Sequence, residues 1–229
     1  MNRRVILALD VKTGEEAFSL LAPFEAHKPF VKVGMELFYA EGPDIVRRLQ
    51  DAGYPVFLDL KLHDIPHTVE QAMRRLSTLG VAMTNVHASG GKAMMQAARE
   101  GFGDGTLIAV TQLTSTSEEV MQKELLIERP LPDVVDAYAA LAQEAGLDGV
   151  VCSPLESPRV HEKLGDSFLT VTPGIRFADG PTHDQKRVTT PAKARELQSS
   201  MIVIGRAVTA ADDPVSAYER AVREFEEGV

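Results

Sequence analysis

Short apolar runs alternate along the chain with longer segments that have the spacing of amphipathic helices. The apolar runs are rich in β-branched residues and stop at polar or turn-forming residues, which is typical of buried strands. The eight runs begin at Val5, Phe30, Val56, Met83, Leu107, Gly149, Phe168 and Met201. Helices are predicted between them over Gly14–His27, Gly42–Ala52, Ile65–Leu79, Lys92–Phe102, Leu131–Ala145, Pro158–Leu164, Pro191–Gln198 and Pro214–Glu227.

This order of elements predicts the fold class. Strands that alternate with helices through short connections form βαβ units on a parallel sheet. Eight units, with no glycine-rich dinucleotide fingerprint after the first strand, favour a closed (β/α)8 TIM barrel of the α/β class over an open doubly wound sheet. A barrel of this kind commonly takes about 200–250 residues, and the chain has 229. No linker divides it, so we expect residues 1–229 to form a single barrel domain.

Charged residues occupy one face of the third predicted strand. Asp59 and Lys61 alternate there with leucines at positions 58, 60 and 62. Successive side chains of a strand point to opposite faces, so the leucines should meet the helices and the charges should point into the barrel. Asp10, Lys32 and Asn85 take the same inward face late in their own strands. Catalytic groups of this architecture lie at the carboxyl ends of the strands, so we interpret Asp59 and Lys61 as functional.

Structural interpretations of these residues compete with the catalytic one. Asp59 and Lys61 could form a structural ion pair, although desolvation offsets the attraction of a buried pair and leaves little net stability. Asp64 could cap a helix that begins at Ile65, because Asp is favoured as an N-cap and the following Pro66 suits the first turn. A capping role for Asp64 would not exclude a functional one.

The ends of the last two predicted strands suit a phosphate group. The eighth run ends at Gly205 and Arg206; glycine lets backbone N–H groups approach an anion, and arginine supplies forked donors. Phosphate sites of such barrels frequently follow strands seven and eight, and the seventh run ends at Arg176. The polar segment over 176–188, which contains Gln185, is predicted to be a lid that closes on phosphate.

Composition narrows the classes of partner. The net charge is −9, from 24 Lys and Arg against 33 Asp and Glu, which argues against nonspecific binding to nucleic acid or to an anionic membrane. The single cysteine, Cys152, is expected to be a buried core residue in a reducing compartment. The apolar run before Asp10 is too short for a signal peptide, and no run approaches the roughly 18 residues of a membrane span. We therefore expect a cytoplasmic protein.

The stretch Asp59-Leu60-Lys61-Leu62-His63-Asp64-Ile65-Pro66 contains a D-x-K-x-x-D motif, and other segments support it. They are Ala8–Asp10, Val31–Gly34, Val110–Ser115, Val171–Arg176, Asp184-Gln185 and Ile204–Arg206. In this order, and across nearly the whole chain, the sequence resembles the orotidine 5′-phosphate decarboxylase family of the bacterial type.

The resemblance implies an activity and an assembly. The reaction would be decarboxylation of orotidine 5′-phosphate to uridine 5′-phosphate in pyrimidine synthesis, without a metal or an organic cofactor. Lys61 would donate the proton to C6 of the pyrimidine, and Asp59 would lie beside the scissile carboxylate. Lys32 and Asp64 would complete an alternating charge array. In the implied homodimer, residues Asp64 to Thr68 of one subunit would contribute to the active site of its neighbour.

The resemblance also assigns contacts to the nucleotide. Asp10 and Lys32 would bind ribose hydroxyls, Thr68 would reach the ribose of the neighbouring site, and Thr114 would contact the base. The phosphate region would be covered from strands seven and eight, and a proline would pack near the ring. The complete implied set is Asp10, Lys32, Asp59, Ile65, Thr68, Thr114, Pro173, Arg176, Gln185, Gly205 and Arg206.

Three other functions remain as alternatives. A related barrel with the same motif decarboxylates keto-gulonate phosphate with Mg²⁺, but such a site needs extra carboxylates to hold the metal. An aldolase would use Lys61 in a Schiff base, which needs a free amine that two neighbouring carboxylates disfavour. A barrel that only binds a phosphorylated ligand would require the charged row to be structural.

Overall fold

The computed structural model of the chain describes residues 4–24, 27–179 and 189–228. Eight parallel strands close a barrel in chain order, because β1 pairs with both β2 and β8. The strands are β1 Val5–Leu9, β2 Phe30–Gly34, β3 Val56–Leu62, β4 Met83–His87, β5 Thr106–Val110, β6 Gly149–Val151, β7 Leu169–Thr172 and β8 Met201–Ile204. The predicted α/β class and (β/α)8 TIM-barrel architecture are confirmed.

Helices surround the barrel, and each of the eight predicted helical segments contains one. The helices of the described residues are α1 Gly14–Leu21, α2 Met35–Glu41, α3 Pro43–Asp51, α4 Pro66–Ser77, α5 Gly91–Phe102, α6 Glu118–Lys123, α7 Leu131–Glu144, α8 Ser157–Leu164, α9 Pro191–Glu196, α10 Arg206–Thr209 and α11 Pro214–Glu226. The pattern missed α2, α6 and α10, which hold only seven, six and four residues and are too short to show a clear helical period.

The predicted length of the first helix was wrong. It was expected to reach His27, but α1 ends at Leu21 and a short 3₁₀ turn, Ala22–Phe24, follows. Pro23 lies in this turn, and a proline inside a helix removes a backbone donor and clashes with the preceding turn. The local proline therefore ends the helix, although apolar spacing continues beyond it.

Alternation along the strands separates two apolar clusters. The interior of the barrel is filled by Ile6, Ala8, Phe30, Phe57, Met83, Ile108, Val171, Met201 and Val203. Leu58 and Leu60 of β3 instead join the larger cluster between the strands and the helices. Both leucines and Phe57 are buried, so the predicted division of β3 into an outward leucine row and an inward row is confirmed.

No helix in residues 4–24, 27–179 and 189–228 is long and apolar enough to cross a membrane.

Helices α4 and α5 approach each other closely at Gly101. A Cβ atom added to Gly101 of α5 would lie 2.4 Å from the backbone oxygen of Glu70 and 2.9 Å from Cβ of Met73, both on α4. Neither atom belongs to the flexible end of a side chain, so the two helices could accept a methyl group only by moving apart. The close packing of α4 and α5 therefore explains the glycine at position 101, although glycine is ordinarily unfavourable inside a helix.

We predict that Gly101→Ala destabilises the fold by about 1–3 kcal/mol, the usual cost of overpacking. Alanine in place of glycine inside a helix ordinarily stabilises by about 0.5–1 kcal/mol, so the close approach reverses the expected sign. Urea unfolding followed by circular dichroism measures the effect. The control is Glu100→Ala on the exposed face of α5; a Gly101→Ala protein at least as stable as this control would contradict the packing explanation.

Candidate active site

Four charged side chains of alternating sign line the carboxyl end of β1, β2 and β3. The Nζ atom of Lys61 lies 2.7 Å from Oδ1 of Asp59. The Nζ atom of Lys32 lies 3.4 Å from Oδ2 of Asp59 and 3.2 Å from Oδ1 of Asp10. The order in space is therefore Asp10, Lys32, Asp59, Lys61. We call this row the charge array. The resemblance assigned Asp10, Lys32 and Asp59 to substrate binding, and it assigned Lys32, Asp59 and Lys61 to catalysis.

Asp59 is the most enclosed member of the charge array, with 8% of its surface exposed. Burial by itself would raise the pKa of this carboxyl group. The charges of Lys32 and Lys61, with hydrogen bonds from Lys61 and Asn85, oppose that effect and leave the pKa of Asp59 below its ordinary value. Asp59 is consequently a carboxylate at neutral pH, held between two ammonium groups.

The third strand is irregular where it carries the array. Leu58 pairs with Thr84 of β4 and Leu62 pairs with Val86, so four residues of β3 advance against two of β4. Within this bulge Lys61 has a φ of +52°, a left-handed conformation that residues other than glycine adopt at an energetic cost. Bulges of this kind redirect side chains, and Lys61 lies within this one with its ammonium paired to Asp59.

A cavity of about 240 Å³ opens beside the charge array. It brings together Lys32, Asp59 and Lys61 with Thr114 and Pro173, five residues that the resemblance assigned to the site. The cavity floor is apolar, and its remaining lining is Phe57, Val110, Gln112, Leu113, Ser115, Val151, Val171 and Val203. A charged rim over an apolar floor suits a planar ring that carries an anionic group.

Gln112 and Asn85 are residues to which the sequence analysis gave no role. Gln112 is buried and lines this cavity as well as a neighbouring one of about 420 Å³. Asn85 is completely buried on β4 and contacts the array directly. The available signal was a polar residue late in, or just after, a predicted strand. Alternation alone could not say which of these residues contacts the charged groups.

Asp64, Ile65 and Thr68 are exposed and do not line the cavity. The capping interpretation of Asp64 is wrong: α4 begins at Pro66, Ile65 is the N-cap, and no side chain caps this end. The Asp64 carboxylate accepts a hydrogen bond of 2.7 Å from the N–H of Ile65, its own neighbour. The residue before a proline is disfavoured in the helical region, and Ile65 is accordingly extended with a ψ of 150°. The helix therefore starts one residue later than predicted, and Asp64 lies one residue upstream of the N-cap.

Asp64 also stands apart from the charge array of its own chain. Within the described residues, no ion pair joins Asp64 to Lys32 or Lys61. The array that the resemblance implied, with Asp64 as a member, is therefore not formed by ion pairs among the described residues of this chain. Ile65 beside it exposes 66% of its surface, an unusual position for a large aliphatic side chain.

The proposed phosphate residues lie at the ends of β7 and β8. Gly205 is the N-cap of α10, and Arg206, its first residue, is exposed. A Cβ atom on Gly205 would lie 3.5 Å from Oδ2 of Asp10, so this end lies next to the charge array. Arg176 is buried and its Nη1 donates to the oxygen of Ile175. Gln185 falls outside the described residues.

The described flanks of the segment around Gln185 are joined to each other. Ile175 forms an isolated parallel bridge with Thr189. The N–H of Arg176 donates to the oxygen of Thr189 over 3.0 Å, and the N–H of Thr189 donates to the oxygen of Gly174 over 3.2 Å. The chain thus leaves the barrel and returns to it at nearly the same point. The predicted lid over 176–188 consists mainly of residues 180–188, which lie outside the described residues.

Two histidines adjoin the array. The rings of His63 and His87 have centroids 5.8 Å apart. The pKa of His87 is lowered from its ordinary value, first by burial and then by the positive charges of His63 and Lys61, although Asp59 opposes this. His87 is therefore neutral at pH 7 and reports on the charge of its surroundings.

Across residues 4–24, 27–179 and 189–228, no group of three or more His, Cys, Asp or Glu side chains is placed to hold a metal ion. The absence of a metal and of an organic cofactor from the reaction stays a prediction. Cys152 is fully buried in the core, as expected.

Fold and site together define a class of protein: a (β/α)8 barrel in which a lysine ammonium, paired with a carboxylate, lines a cavity with an apolar floor. The chain belongs to the orotidine 5′-phosphate decarboxylase / HUMPS family, whose sequence profile matches residues 3–221.

Individual relatives resemble the chain over its whole length. An orotidine 5′-phosphate decarboxylase of Bacillus pumilus is 56% identical over 99% of this chain and 100% of its own. One of Bacillus licheniformis is 54% identical over 98% of both chains. The crystal structure of orotidine 5′-phosphate decarboxylase from Lactobacillus acidophilus has a TM-score of 0.88 and 44% identity, and covers 98% of this chain and 100% of that one.

We predict that Lys61→Ala raises the pKa of His87, because it removes a positive charge that disfavours the imidazolium. Titration of the His87 ring signals by NMR between pH 4 and 8, a range chosen around the ordinary histidine value of about 6.5, measures the shift. Lys92→Ala is the control, because Lys92 pairs with Glu144 on the outer helices. Equal His87 curves in the two variants would contradict the location of the Lys61 charge.

Proposed function

We propose that the chain decarboxylates orotidine 5′-phosphate to uridine 5′-phosphate, a step of pyrimidine synthesis. The observation that carries the proposal is the Lys61 ammonium, 2.7 Å from the Asp59 carboxylate, at the rim of an apolar cavity in a member of this family. The family also includes the HUMPS branch, but the full-length relatives reported above are named as the decarboxylase, which favours the nucleotide reaction.

Decarboxylation requires a cation beside one atom, C6 of the pyrimidine. When the bond between C6 and the carboxylate breaks, CO₂ leaves and its bonding electron pair stays on C6 as a carbanion with little delocalisation. A cation fixed beside C6 stabilises that charge as it develops, and it costs no reorganisation during the reaction. Lys61 suits this role because an ammonium group is a compact charge with protons to donate. One of these protons then forms the new C6–H bond of uridine 5′-phosphate.

The rest of the charge array directs Lys61 and receives the substrate. Asp59 holds the Lys61 ammonium through a charge-assisted hydrogen bond of 2.7 Å, and it lies where it would face the carboxylate that leaves. Lys32 bridges Asp59 and Asp10, which supports a role for Lys32 and Asp10 in binding ribose hydroxyls next to the ring. Thr114 and Pro173, which also line the cavity, would contact the base.

The phosphate would bind beside Gly205 and Arg206, and the resemblance assigns Arg176 and Gln185 to the same group. Support comes from Gly205, which adjoins Asp10, and from the guanidinium of Arg206 at an exposed position. A phosphate held there lies away from the reacting carbon. Its binding energy can therefore orient the ring and offset the cost of desolvating the site.

We further propose a homodimer in which Asp64, Ile65 and Thr68 complete the active site of the neighbouring subunit. The support is that these residues are exposed, that Asp64 has no ion pair to its own charge array among the described residues, and that an isoleucine with 66% exposure gains by being covered. Residues 1–229 are proposed to act as one barrel domain in the cytosol, and the single cysteine is compatible with that compartment.

A metal-dependent sugar-phosphate reaction of the HUMPS branch is the alternative to exclude. The two activities separate in one assay, in which the loss of orotidine 5′-phosphate absorbance is followed with EDTA and with added Mg²⁺. Turnover of the nucleotide that persists in EDTA supports the proposal. Activity on a keto-sugar phosphate with Mg²⁺, and none on the nucleotide, would refute it.

We predict that Lys61→Ala lowers kcat for orotidine 5′-phosphate by at least about 10²–10⁴-fold, the usual contribution of a positioned proton donor, while thermal unfolding changes little. The absorbance assay and circular dichroism measure the two quantities. Lys92→Ala removes an equal charge from the outer face of the barrel and should leave turnover unchanged. Near-normal turnover by Lys61→Ala would refute the proton-donor role.

We predict that active sites are shared between subunits, so two inactive variants restore each other. Lys61→Ala and Asp64→Ala are each expected to be almost inactive alone. When the two are denatured together and refolded, half of the sites in a mixed dimer contain both intact residues. Activity should reappear on mixing, up to about one quarter of the wild-type value for random pairing. Refolding each variant by itself is the control, and no recovery on mixing would show that Asp64 serves its own chain.

A further inference from the structure

The buried amide of Asn85 links Asp59 and Lys61. Its Nδ2 atom donates to Oδ1 of Asp59 over 2.7 Å. Its Oδ1 atom accepts from the backbone N–H of Lys61 over 2.8 Å. Asn85 is completely shielded from solvent, so water does not compete for either hydrogen bond. The Asn85 side chain on β4 therefore contacts both the Asp59 carboxylate and the Lys61 backbone.

The bulge in β3 explains why Lys61 needs this contact. Between the pairs Leu58–Thr84 and Leu62–Val86, β3 has more residues than β4, and regular backbone pairing is interrupted. The Lys61 N–H would otherwise be left without a ladder partner at a partly buried position, where an unsatisfied donor costs free energy. Asn85 lies opposite this interruption and supplies the missing acceptor. It thereby stabilises the left-handed backbone of Lys61 at φ +52°.

The two hydrogen bonds also fix which residue type can serve. The amide must present oxygen to an N–H group and nitrogen to a carboxylate, and the reverse orientation would place like partners together at both ends. Aspartate in the same position could accept from Lys61, but its charge would oppose that of Asp59. Leucine, of similar size, could make neither hydrogen bond. With aspartate ionised, asparagine alone among these three satisfies both partners.

We infer that Asn85 is a positioning residue of the reaction: it holds Asp59 and the strained backbone of Lys61 so that the ammonium stays beside the reacting carbon. Oδ1 of Asp59 accepts from Asn85 and from the Lys61 ammonium together, so the amide orients the oxygen that orients the lysine. This inference rests on the proposed roles of Lys61 and Asp59. It adds that the geometry between them depends on the neighbouring strand.

The test compares Asn85→Leu with Thr84→Val. Thr84 is the preceding residue of β4, is equally buried, and donates a hydrogen bond of 2.9 Å to the oxygen of Leu58. Its replacement removes a buried hydrogen bond between the same two strands without touching the charge array. Both variants should lose stability. Asn85→Leu should in addition lose about 10²-fold in kcat, the order of loss expected from a small misplacement of a catalytic group, while KM changes little because the phosphate contacts remain.

A pH profile separates positioning from a general structural effect. Loss of a donor to Asp59 raises the pKa of that carboxyl group, so the acid limb of kcat/KM should move to higher pH in Asn85→Leu and not in Thr84→Val. In Asn85→Asp the introduced carboxyl can donate to Asp59 when neutral and repels it when ionised. Its activity relative to wild type should therefore fall as pH rises.

The outcomes are distinct. Wild-type kcat in Asn85→Leu, or a pH profile that matches Thr84→Val, overturns the inference. If Asn85→Leu does not fold, the pH profile of Asn85→Asp provides the test. An activity profile of Asn85→Asp that runs parallel to the wild-type profile also overturns the inference. Lys61→Ala is measured beside them: if it is inactive while Asn85→Leu is fully active, only the positioning role fails. If Lys61→Ala itself retains turnover, the proposed function of the array fails and the inference fails with it.

Discussion

The ion pair between Lys61 and Asp59 is the interaction on which the site depends. Both side chains point into a barrel whose other inward residues are largely apolar, so neither charge can be left alone. The structure meets this demand by alternating signs, with Lys32 on the far side of Asp59 and Asp10 beyond it. Such an arrangement adds little to the stability of the fold, since desolvation offsets attraction. What it provides is a cation whose position is set before substrate arrives.

The barrel can hold the charge array because the two faces of each strand have different roles. Outward residues such as Leu58 and Leu60 fasten β3 to the helical layer, which leaves the inward face free for chemistry. At Lys61 the strand bulges and the backbone turns left-handed, yet the side chain stays paired with Asp59 on the inward face. Local strain is tolerated there because the neighbouring strand and the outer core over-determine the geometry.

Alternation of apolar and polar residues was sufficient to predict the strands, the barrel and the inward direction of Asp59 and Lys61, because these follow from a period of two and a count of eight. It failed where geometry depends on a neighbour in space. The bulge at Lys61 arises from the pairing of β3 with β4, and the role of Asn85 follows from that pairing. The start of α4 was displaced by one residue because Ile65, not Asp64, takes the N-cap position before Pro66. The short helix α10 contained too few residues for any period to be visible.

The bridge between Ile175 and Thr189 has a consequence for how the family can diversify. Because the chain leaves and re-enters the barrel at one hydrogen-bonded point, the length of sequence between these residues is not coupled to the spacing of β7 and β8. The entropy of closing a flexible loop grows slowly, by about 0.6 kcal/mol for each doubling of length. Insertions and deletions between the two anchors are therefore inexpensive for the fold, and the number of residues between them can change while the strands that carry the charge array stay unchanged.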